Sequence, residues 1–260
     1  MTNYKIVIIG AGAVGTRLGM ALFDAGHQIV QVISRQYKSA ESLAQHFGSV
    51  ASTNVADLDQ NADLVFLTVP DSVLPQLLAS FPDHKSILVH TSGSFPIEKL
   101  AVASEQYGVF YPLQTFSKDR KLDFSKLPLL VEACNDGVCQ TLLNLGEQLS
   151  TNVQIISSSD RRQLHVAAIF VCNFVNYLVG CGELIAFKAG VSRETLIPLI
   201  METMDKSVSM GSADAQTGPA RRGDFETIKK HLDLLSCCPE EKHIYQILTK
   251  AILARYGHEL

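Results

Sequence analysis

Short apolar runs alternate with longer amphipathic stretches through the first part of the chain, up to about residue 156. Runs of this length, bounded by glycine, proline or polar clusters, predict strands that are buried on both faces. The predicted strands are Ile6–Ile9, Gln28–Ile33, Leu64–Val69, Ile87–His90, Val109–Tyr111, Leu129–Val131 and Val153–Ile156. The predicted helices between them run from Thr16 to Phe23, from Ser39 to Phe47, from Asp71 to Leu78 and from Gly137 to Leu149. Strands that alternate with helices predict an α/β fold with a mostly parallel, doubly wound sheet.

The pattern becomes helical from about Asp160 and stays helical to the end of the chain. We therefore predict an N-terminal doubly wound Rossmann domain over residues 1–156 and an all-α C-terminal domain over residues 157–260. The stretch Ala167–Phe187 is apolar enough to suggest a membrane span, but two asparagines, a glutamate and two glycines interrupt it. We predict instead that it forms the buried central helix of the C-terminal domain, with no membrane partner.

Composition narrows the class of protein further. The 260 residues are 47% apolar and 18% charged, which is typical of a globular protein. The net charge is −4 and no basic stripe is present, so nucleic acid is not an expected partner. The six cysteines have neither metal-ligand spacing nor a Cys-x-x-Cys motif, which predicts reduced thiols and no metal site. Because the chain opens on a strand pattern rather than a secretory signal, we expect a cytoplasmic protein.

Gly10, Gly12 and Gly15 stand between the first predicted strand and the first predicted helix. This is the context that a dinucleotide fingerprint needs. The first glycine permits a tight turn, the second lets the backbone approach a pyrophosphate, and the third lets helix and strand pack closely. The free amide hydrogens at the start of the helix then face the phosphates, so Ala13 and Val14 join the glycines as predicted cofactor-binding residues. The alternative is a glycine turn with a purely structural role.

The end of the second predicted strand indicates which nucleotide binds. An aspartate or glutamate at this point bonds the ribose 2′-hydroxyl of NAD. Here the strand ends in Ser34 and Arg35, with Lys38 just beyond. A guanidinium can grip a 2′-phosphate, which a carboxylate would repel. We therefore predict NADP as the cofactor, against the alternative of a solvated basic loop.

Three polar loops follow the carboxyl ends of later strands, where ligands bind in such sheets. Two of them contain the residues that we predict to contact the cofactor, which are Val69, Pro70, His90, Ser92 and Gly93. Their hydroxyls and amides could hold the nicotinamide ribose or a substrate carboxylate. The alternative is ordinary turn chemistry of serine, threonine and glycine.

Three residues of the helical half are candidates for catalysis. His165 and Asn173 are polar residues in an apolar field, about 12 Å apart along an ideal helix, so they cannot bond each other but could contact one ligand. Histidine exchanges protons near neutral pH, which makes His165 the candidate proton donor, although a core histidine is the alternative. Arg222 lies in the turn 217–224, a candidate clamp for an anionic substrate group or else a solvated loop.

Taken together, these motifs resemble the uncharacterised Rossmann-like proteins whose C-terminal domain is called DUF2520. The motifs in chain order are Gly10–Gly15, Ser34-Arg35, Val69-Pro70-Asp71, His90-Thr91-Ser92-Gly93, Pro112–Phe116, His165 with Asn173, Thr217-Gly218-Pro219, Arg222-Gly223-Asp224 and His231. The chain departs from the expected pattern at Tyr111, where a histidine would precede the proline, and this weakens a proton-transfer role at that position. The wider kin are the 6-phosphogluconate dehydrogenase-like enzymes, including ketopantoate reductase and pyrroline-5-carboxylate reductase. Many of the hydroxyacid dehydrogenases among them have a lysine where this chain has Ile169.

The resemblance implies an NADP(H)-dependent oxidoreductase that acts on a small substrate, with hydride transfer in the cleft between the domains. Without the lysine, simple alcohol dehydrogenation by the hydroxyacid mechanism is in doubt. Two alternatives stay open: an imine- or F420-type NADP oxidoreductase, and a non-catalytic NADP-binding sensor or assembly protein. We also expect a homodimer joined by the helical domains, because the central apolar helix exceeds what one small domain readily covers.

Overall fold

Eight strands form one sheet in the computed structural model, which describes residues 2–258 of the chain. In chain order they are β1 (Lys5–Ile9), β2 (Gln28–Ile33), β3 (Val50–Ser52), β4 (Leu64–Leu67), β5 (Ile87–His90), β6 (Tyr107–Pro112), β7 (Leu129–Ala133) and β8 (Val153–Ile155). Their order across the sheet is β3-β2-β1-β4-β5-β6-β7-β8. Neighbouring strands are parallel except for β6 and β7, which are antiparallel. The predicted doubly wound sheet is confirmed.

Helices cover both faces of this sheet. They are α1 (Ala13–Asp24), α2 (Tyr37–Phe47), α3 (Leu74–Ala79), α4 (Asp136–Glu147) and α5 (Ser158–Ala168). The alternation of side chains along β1 shows how the two faces are used: Ile6 and Ile8 join one buried cluster with Leu18 of α1, while Val7 joins another with Leu74 of α3. Because central strands such as β1 and β4 are apolar on both sides, the middle of the sheet is buried between two helical layers.

Three helix starts differ from the predictions by more than one residue, and the first is that of α1, which begins at Ala13 rather than Thr16. The helix α2 begins at Tyr37, before the predicted cap Ser39, and ends as predicted at Gly48, which has the left-handed φ of 64°. The helix α3 begins only at Leu74, and Asp71 does not cap it through its side chain. The Asp71 carboxylate instead accepts a hydrogen bond from the Ser94 hydroxyl, a partner in another loop that local sequence cannot indicate.

The chain divides into two compact units, Met1–Cys172 and Asn173–Leu260. The last strand, β8, ends at Ile155, whereas the boundary between the two units lies after Cys172, because α5 packs with the sheet through Arg161. The domain bounds 1–156 and 157–260 stay a prediction. After α5 the helix continues as a π-helical segment, Ile169–Phe174, and then as α6 (Val175–Lys188). The other helices of the second unit are α7 (Ile197–Met210), α8 (Ser212–Ala215), α9 (Pro219–Arg222), α10 (Phe225–Leu234) and α11 (Pro239–Arg255).

The apolar helix that spans Ser158–Lys188 is long and apolar enough, by length and composition, to cross a membrane. None of its most apolar stretch is buried within the chain, so the prediction of a buried central helix is wrong. The small buried core of the second unit lies elsewhere, around Ala220, Ile228 and Leu253 of α9, α10 and α11. Large apolar side chains such as Phe187, 77% exposed, consequently face outward.

Candidate functional site

The turn between β1 and α1 accepts only glycine at two of its positions. Gly10 has a φ of +116°, and a Cβ on it would lie 2.7 Å from the carbonyl oxygen of Thr68. A Cβ on Gly15 would overlap the carbonyl oxygen of Gly10. Any side chain at either position would therefore push the strand, the turn and the helix apart.

Gly12 differs from these two glycines, because a Cβ on it would have no protein atom within 4 Å. It is the residue before α1, no side chain of the described residues is seen to cap this helix start, and the first turn contains no acidic residue. The N–H groups of Ala13 and Val14 therefore lie at an uncapped helix N-terminus, where the helix dipole favours an anion. This arrangement fits a pyrophosphate, which needs close backbone approach and amide donors.

Thr68 fixes the glycine turn, a role that sequence reasoning missed. Its backbone N–H donates to the carbonyl of Ile9 at 2.8 Å. Its buried hydroxyl lies 2.7 Å from the carbonyl oxygen of Gly10 and 3.1 Å from that of Ile9. The available signal was a hydroxyl residue at the end of the apolar run that forms β4.

The end of β2 lies beside the glycine turn. The N–H of Gly10 donates to the carbonyl of Ile33 at 2.8 Å, so the next residue, Ser34, follows directly alongside. Ser34 is half-buried, whereas Arg35 and Lys38 are exposed. Two cations and a hydroxyl therefore stand where a carboxylate would stand in an NAD site, and this donor set fits a 2′-phosphate.

The loops after β4 and β5 are tied to each other. Val69 is half-buried and Pro70 is exposed, and both precede Asp71, which accepts the hydrogen bond from Ser94 described above. The Ser92 hydroxyl accepts the N–H groups of Ser94 and Phe95 at 3.0 and 2.9 Å. These contacts hold the two loops at one edge of the sheet.

The buried ring of His90 holds the loop after β5 through a hydrogen bond to its backbone. Its side chain is 0% exposed, and its Nδ1 accepts the N–H of Ser92 at 3.1 Å. Burial and the charge of Arg161 lower the pKa of His90 to about 3, so the ring stays neutral with its proton on Nε2. The predicted cofactor contact of His90 is therefore limited to its backbone.

Arg161 on α5 is the main link between the helix and this loop, and sequence reasoning did not identify it. Its guanidinium is fully buried and donates to the carbonyls of Ser92 and Phe95 at 2.7 and 3.0 Å. It also pairs with Glu132 of β7 at 3.2 Å and donates to the Ser158 hydroxyl at 3.0 Å. Burial lowers the pKa of Arg161, while the bond to Glu132 opposes that shift.

His165 lies one turn after Arg161 on the same helix, and its ring packs on the backbone of Gly93. A Cβ on Gly93 would overlap Nδ1 of this ring and lie 2.6 Å from its Cγ. The Tyr111 hydroxyl, from the end of β6, lies 3.0 Å from the same Nδ1. His165 is half-buried rather than sealed in the core, and so lies at the loop edge of the sheet. Sequence reasoning named His165 and Gly93 separately and discounted Tyr111.

Asn173 and Arg222 belong to the second unit. Asn173 is exposed and lies in the π-helical segment, so the angles and distances predicted from an ideal α-helix do not hold across it. Arg222 is exposed at the end of α9. Its neighbour Arg221 is held by carbonyl groups of Asp214 and Gln216 and by the ring of Tyr256, so within this turn Arg222 is the more accessible cation.

Comparison with known proteins gives matches over both units. A Rossmann-like domain model matches residues 1–114, and the model of a domain of unknown function, DUF2520, matches residues 127–252. The crystal structure of a candidate NADP oxidoreductase from Bacteroides fragilis is 35% identical, with a TM-score of 0.90 over 97% of this chain and 98% of that chain.

Two further proteins are more distant. The NAD(P)+ glycerol-3-phosphate dehydrogenase of Leptospira biflexa is 26% identical over 274 residues, which is 91% of this chain and 75% of its own length. A reductive aminase from Aspergillus terreus, in complex with NADPH and ethyl-5-oxohexanoate, shares the fold at 14% identity, with a TM-score of 0.69 over 100% of this chain and 97% of that chain. The matched domain models and the 35% identity over almost the full length of both chains confirm the resemblance seen in the motifs: the chain belongs to the Rossmann-like proteins with a C-terminal DUF2520 domain, within the 6-phosphogluconate dehydrogenase-like superfamily.

Proposed function

We propose that this protein is an NADP(H)-dependent oxidoreductase that acts on a small-molecule substrate. The observation that carries the proposal is the uncapped start of α1 at Gly12, next to the exposed Arg35 at the end of β2. The names of the similar proteins support it, since one is a candidate NADP oxidoreductase, one an NAD(P)+ dehydrogenase, and one a reductase with NADPH bound.

The residues divide into groups with separate tasks. The pyrophosphate would be held by backbone amides of the glycine turn, and the 2′-phosphate by Ser34, Arg35 and Lys38. The loop residues Val69, Pro70, Ser92 and Gly93 would border the nicotinamide end, because ligands bind at the carboxyl ends of the strands. When bound, the nicotinamide supplies or accepts a hydride.

The protein's own chemistry is then the handling of a proton. His165, half-buried on Gly93, would give a proton to the substrate heteroatom in the reducing direction and take it back in the other. We keep Asn173 as a substrate-orienting residue and Arg222 as an anion-binding residue. Both roles stay predictions.

Reduction of an imine is the second candidate. Ile169, an apolar residue that begins the π-helical segment, stands where many hydroxyacid dehydrogenases of the superfamily have a lysine. An imine nitrogen is easier to protonate than a carbonyl oxygen, so its reduction depends less on such a group. The Aspergillus terreus reductive aminase has the same fold.

The test is a substrate screen that follows nicotinamide absorbance with NADPH and a panel of ketones, 2-oxo acids and cyclic imines. We expect turnover with one class. The variant His165→Gln should then lower kcat by about 100-fold without changing NADPH affinity. The matched control is His46→Gln, an exposed histidine on α2 whose Nδ1 bonds the Ser42 carbonyl of the same helix. Tight NADPH binding with no turnover on any compound would instead favour a sensor or assembly protein.

We also propose that a second copy of the chain covers the exposed apolar surface of the helical unit. This surface includes Phe187 of α6 and Leu199 and Val208 of α7, which are 77%, 63% and 88% exposed. Soluble proteins rarely expose so many large apolar side chains unless another molecule covers them. A dimer would bury the apolar helix without a membrane, in a protein that we place in the cytoplasm.

A further inference from the structure

We infer that Tyr111 is a positioning residue that fixes the tautomer of His165, so that the ring carries its proton on Nε2. The inference rests on the proposed function, because it identifies which nitrogen of His165 faces the chemistry. The observation is the 3.0 Å contact between the Tyr111 hydroxyl and Nδ1 of His165. The two residues come from β6 and α5, which are 54 positions apart in sequence.

The direction of this hydrogen bond follows from the environment of Tyr111. Tyr111 is buried, and burial raises the pKa of its phenol, so the hydroxyl keeps its proton. Among the described residues, His165 is the hydrogen-bond partner of this hydroxyl. If the phenol instead accepted from Nδ1–H, its own buried proton would have no partner among the described residues, so we infer that the phenol donates to Nδ1. A neutral imidazole that accepts at Nδ1 carries its proton on Nε2.

Neighbouring atoms restrict the rotation of the His165 ring. Its Nδ1 edge lies on Gly93, where even a Cβ atom would overlap it. The Gly93 backbone is itself held by Arg161, which donates to the carbonyls of Ser92 and Phe95 on either side. Tyr111, Gly93 and Arg161 together hold the ring in one orientation, with Nε2 on the edge away from Tyr111.

The arrangement also has a consequence for proton balance. In the reducing direction the hydride adds to the substrate carbon, the carbon–heteroatom π bond breaks, and the heteroatom takes the proton of Nε2. A proton from solvent replaces it at Nε2 of the half-buried ring, so the imidazole stays neutral and Tyr111 keeps its own proton.

The direct test is nuclear magnetic resonance of uniformly 15N-labelled protein at alkaline pH, with long-range proton–nitrogen correlations that distinguish histidine tautomers. The His165 signals are assigned by their loss in His165→Gln. We expect His165 to be in the Nε2–H tautomer, and Tyr111→Phe to convert it to a mixture. A wild-type mixture, an Nδ1–H tautomer, or an unchanged spectrum in Tyr111→Phe would overturn the inference.

The chain offers a matched control in the second unit. His231 Nδ1 lies 2.8 Å from the Tyr245 hydroxyl, a histidine–tyrosine pair of the same kind. The variant Tyr245→Phe should change the His231 signals and leave those of His165 unchanged, and Tyr111→Phe should do the reverse. If Tyr111→Phe changed both sets equally, its effect would be a general disturbance of the fold and the inference would fail.

The spectra need neither cofactor nor substrate, so they decide the inference even if the substrate screen fails. Once a substrate is known, Tyr111→Phe should lower kcat about tenfold with less than a twofold change in KM for NADPH. An unchanged kcat, together with an altered tautomer, would show that the tautomer does not matter for turnover and would refute the catalytic part of the inference.

Discussion

His90 gives a quantitative test of how the loop after β5 is supported. The substitution is His90→Asn, which removes a buried titratable ring. The amide oxygen of asparagine can accept the Ser92 N–H that Nδ1 of His90 accepts at 3.1 Å, so the loop keeps its hydrogen bond. The variant therefore isolates the effect of the ring's titration on stability.

The expected magnitude follows from the two pKa values. The pKa of His90 is about 3 in the folded protein, lowered from 6.5 by burial and by Arg161. Below pH 6.5 the His90 ring binds a proton in the unfolded chain but not in the folded chain, so the free energy of unfolding falls as the pH falls towards 3. Each pH unit well inside this window costs about 1.4 kcal/mol, which amounts to about 2 kcal/mol at pH ~5.

The assay is urea denaturation of both proteins at about pH 7.5 and about pH 5. The wild type should lose about 2 kcal/mol more than His90→Asn between the two conditions. Burial also lowers the pKa values of His27 and His84, but both proteins contain these residues, so their contribution cancels in the comparison. The same loss in both proteins would show that His90 does not titrate as a buried neutral ring and would refute the reasoning.

Three further predictions concern the helix link, the cofactor and assembly. Arg161→Met should lower the free energy of unfolding by about 3–5 kcal/mol, because Glu132 and two loop carbonyls lose their buried partner. Adding Glu132→Gln should recover part of this loss of stability, and a loss below about 1 kcal/mol for Arg161→Met in urea titrations would contradict the prediction. Arg35→Ala should weaken NADPH binding about 10- to 100-fold in calorimetry, while the affinity for NADH should change by less than about twofold. Equal losses of affinity for both nucleotides would count against a contact between Arg35 and the 2′-phosphate. Light scattering at micromolar concentration should give about twice the chain mass of 28.4 kDa, whereas a monomer, or recovery only with detergent or lipid, would contradict the dimer.

The sequence allowed good prediction of the features that depend on local chemistry. Gly10 and Gly15 are required by the geometry of one turn, and Arg35 follows its strand by a fixed number of residues. The strands that carry these residues are apolar on both faces, a pattern that is visible without any partner. The residues that we propose to hold the cofactor could therefore be chosen from the sequence, except for Thr68, whose hydroxyl acts on the turn from another strand.

The proposed catalytic part of the site depends on contacts between residues far apart in the chain. The pairing of Tyr111 with His165 and the links from Arg161 to the loop follow from where α5 packs on the sheet, which no local pattern indicates. From the sequence alone, Arg161 would be taken for an ordinary surface residue in the first turn of a helix. The apolar character of residues 167–187 was visible, but hydrophobicity alone does not say whether the same chain or another molecule covers a helix.

The most direct test of the central claim is a calorimetric titration of the wild-type protein with NADPH and with NADH under the same conditions. The site described here, with amide donors at the start of α1 and with Ser34, Arg35 and Lys38 at the end of β2, predicts that NADPH binds at least about tenfold more tightly, a difference of about 1.4 kcal/mol or more. Equal affinities for the two nucleotides, or no binding of either, would contradict the assignment of an NADP-dependent oxidoreductase.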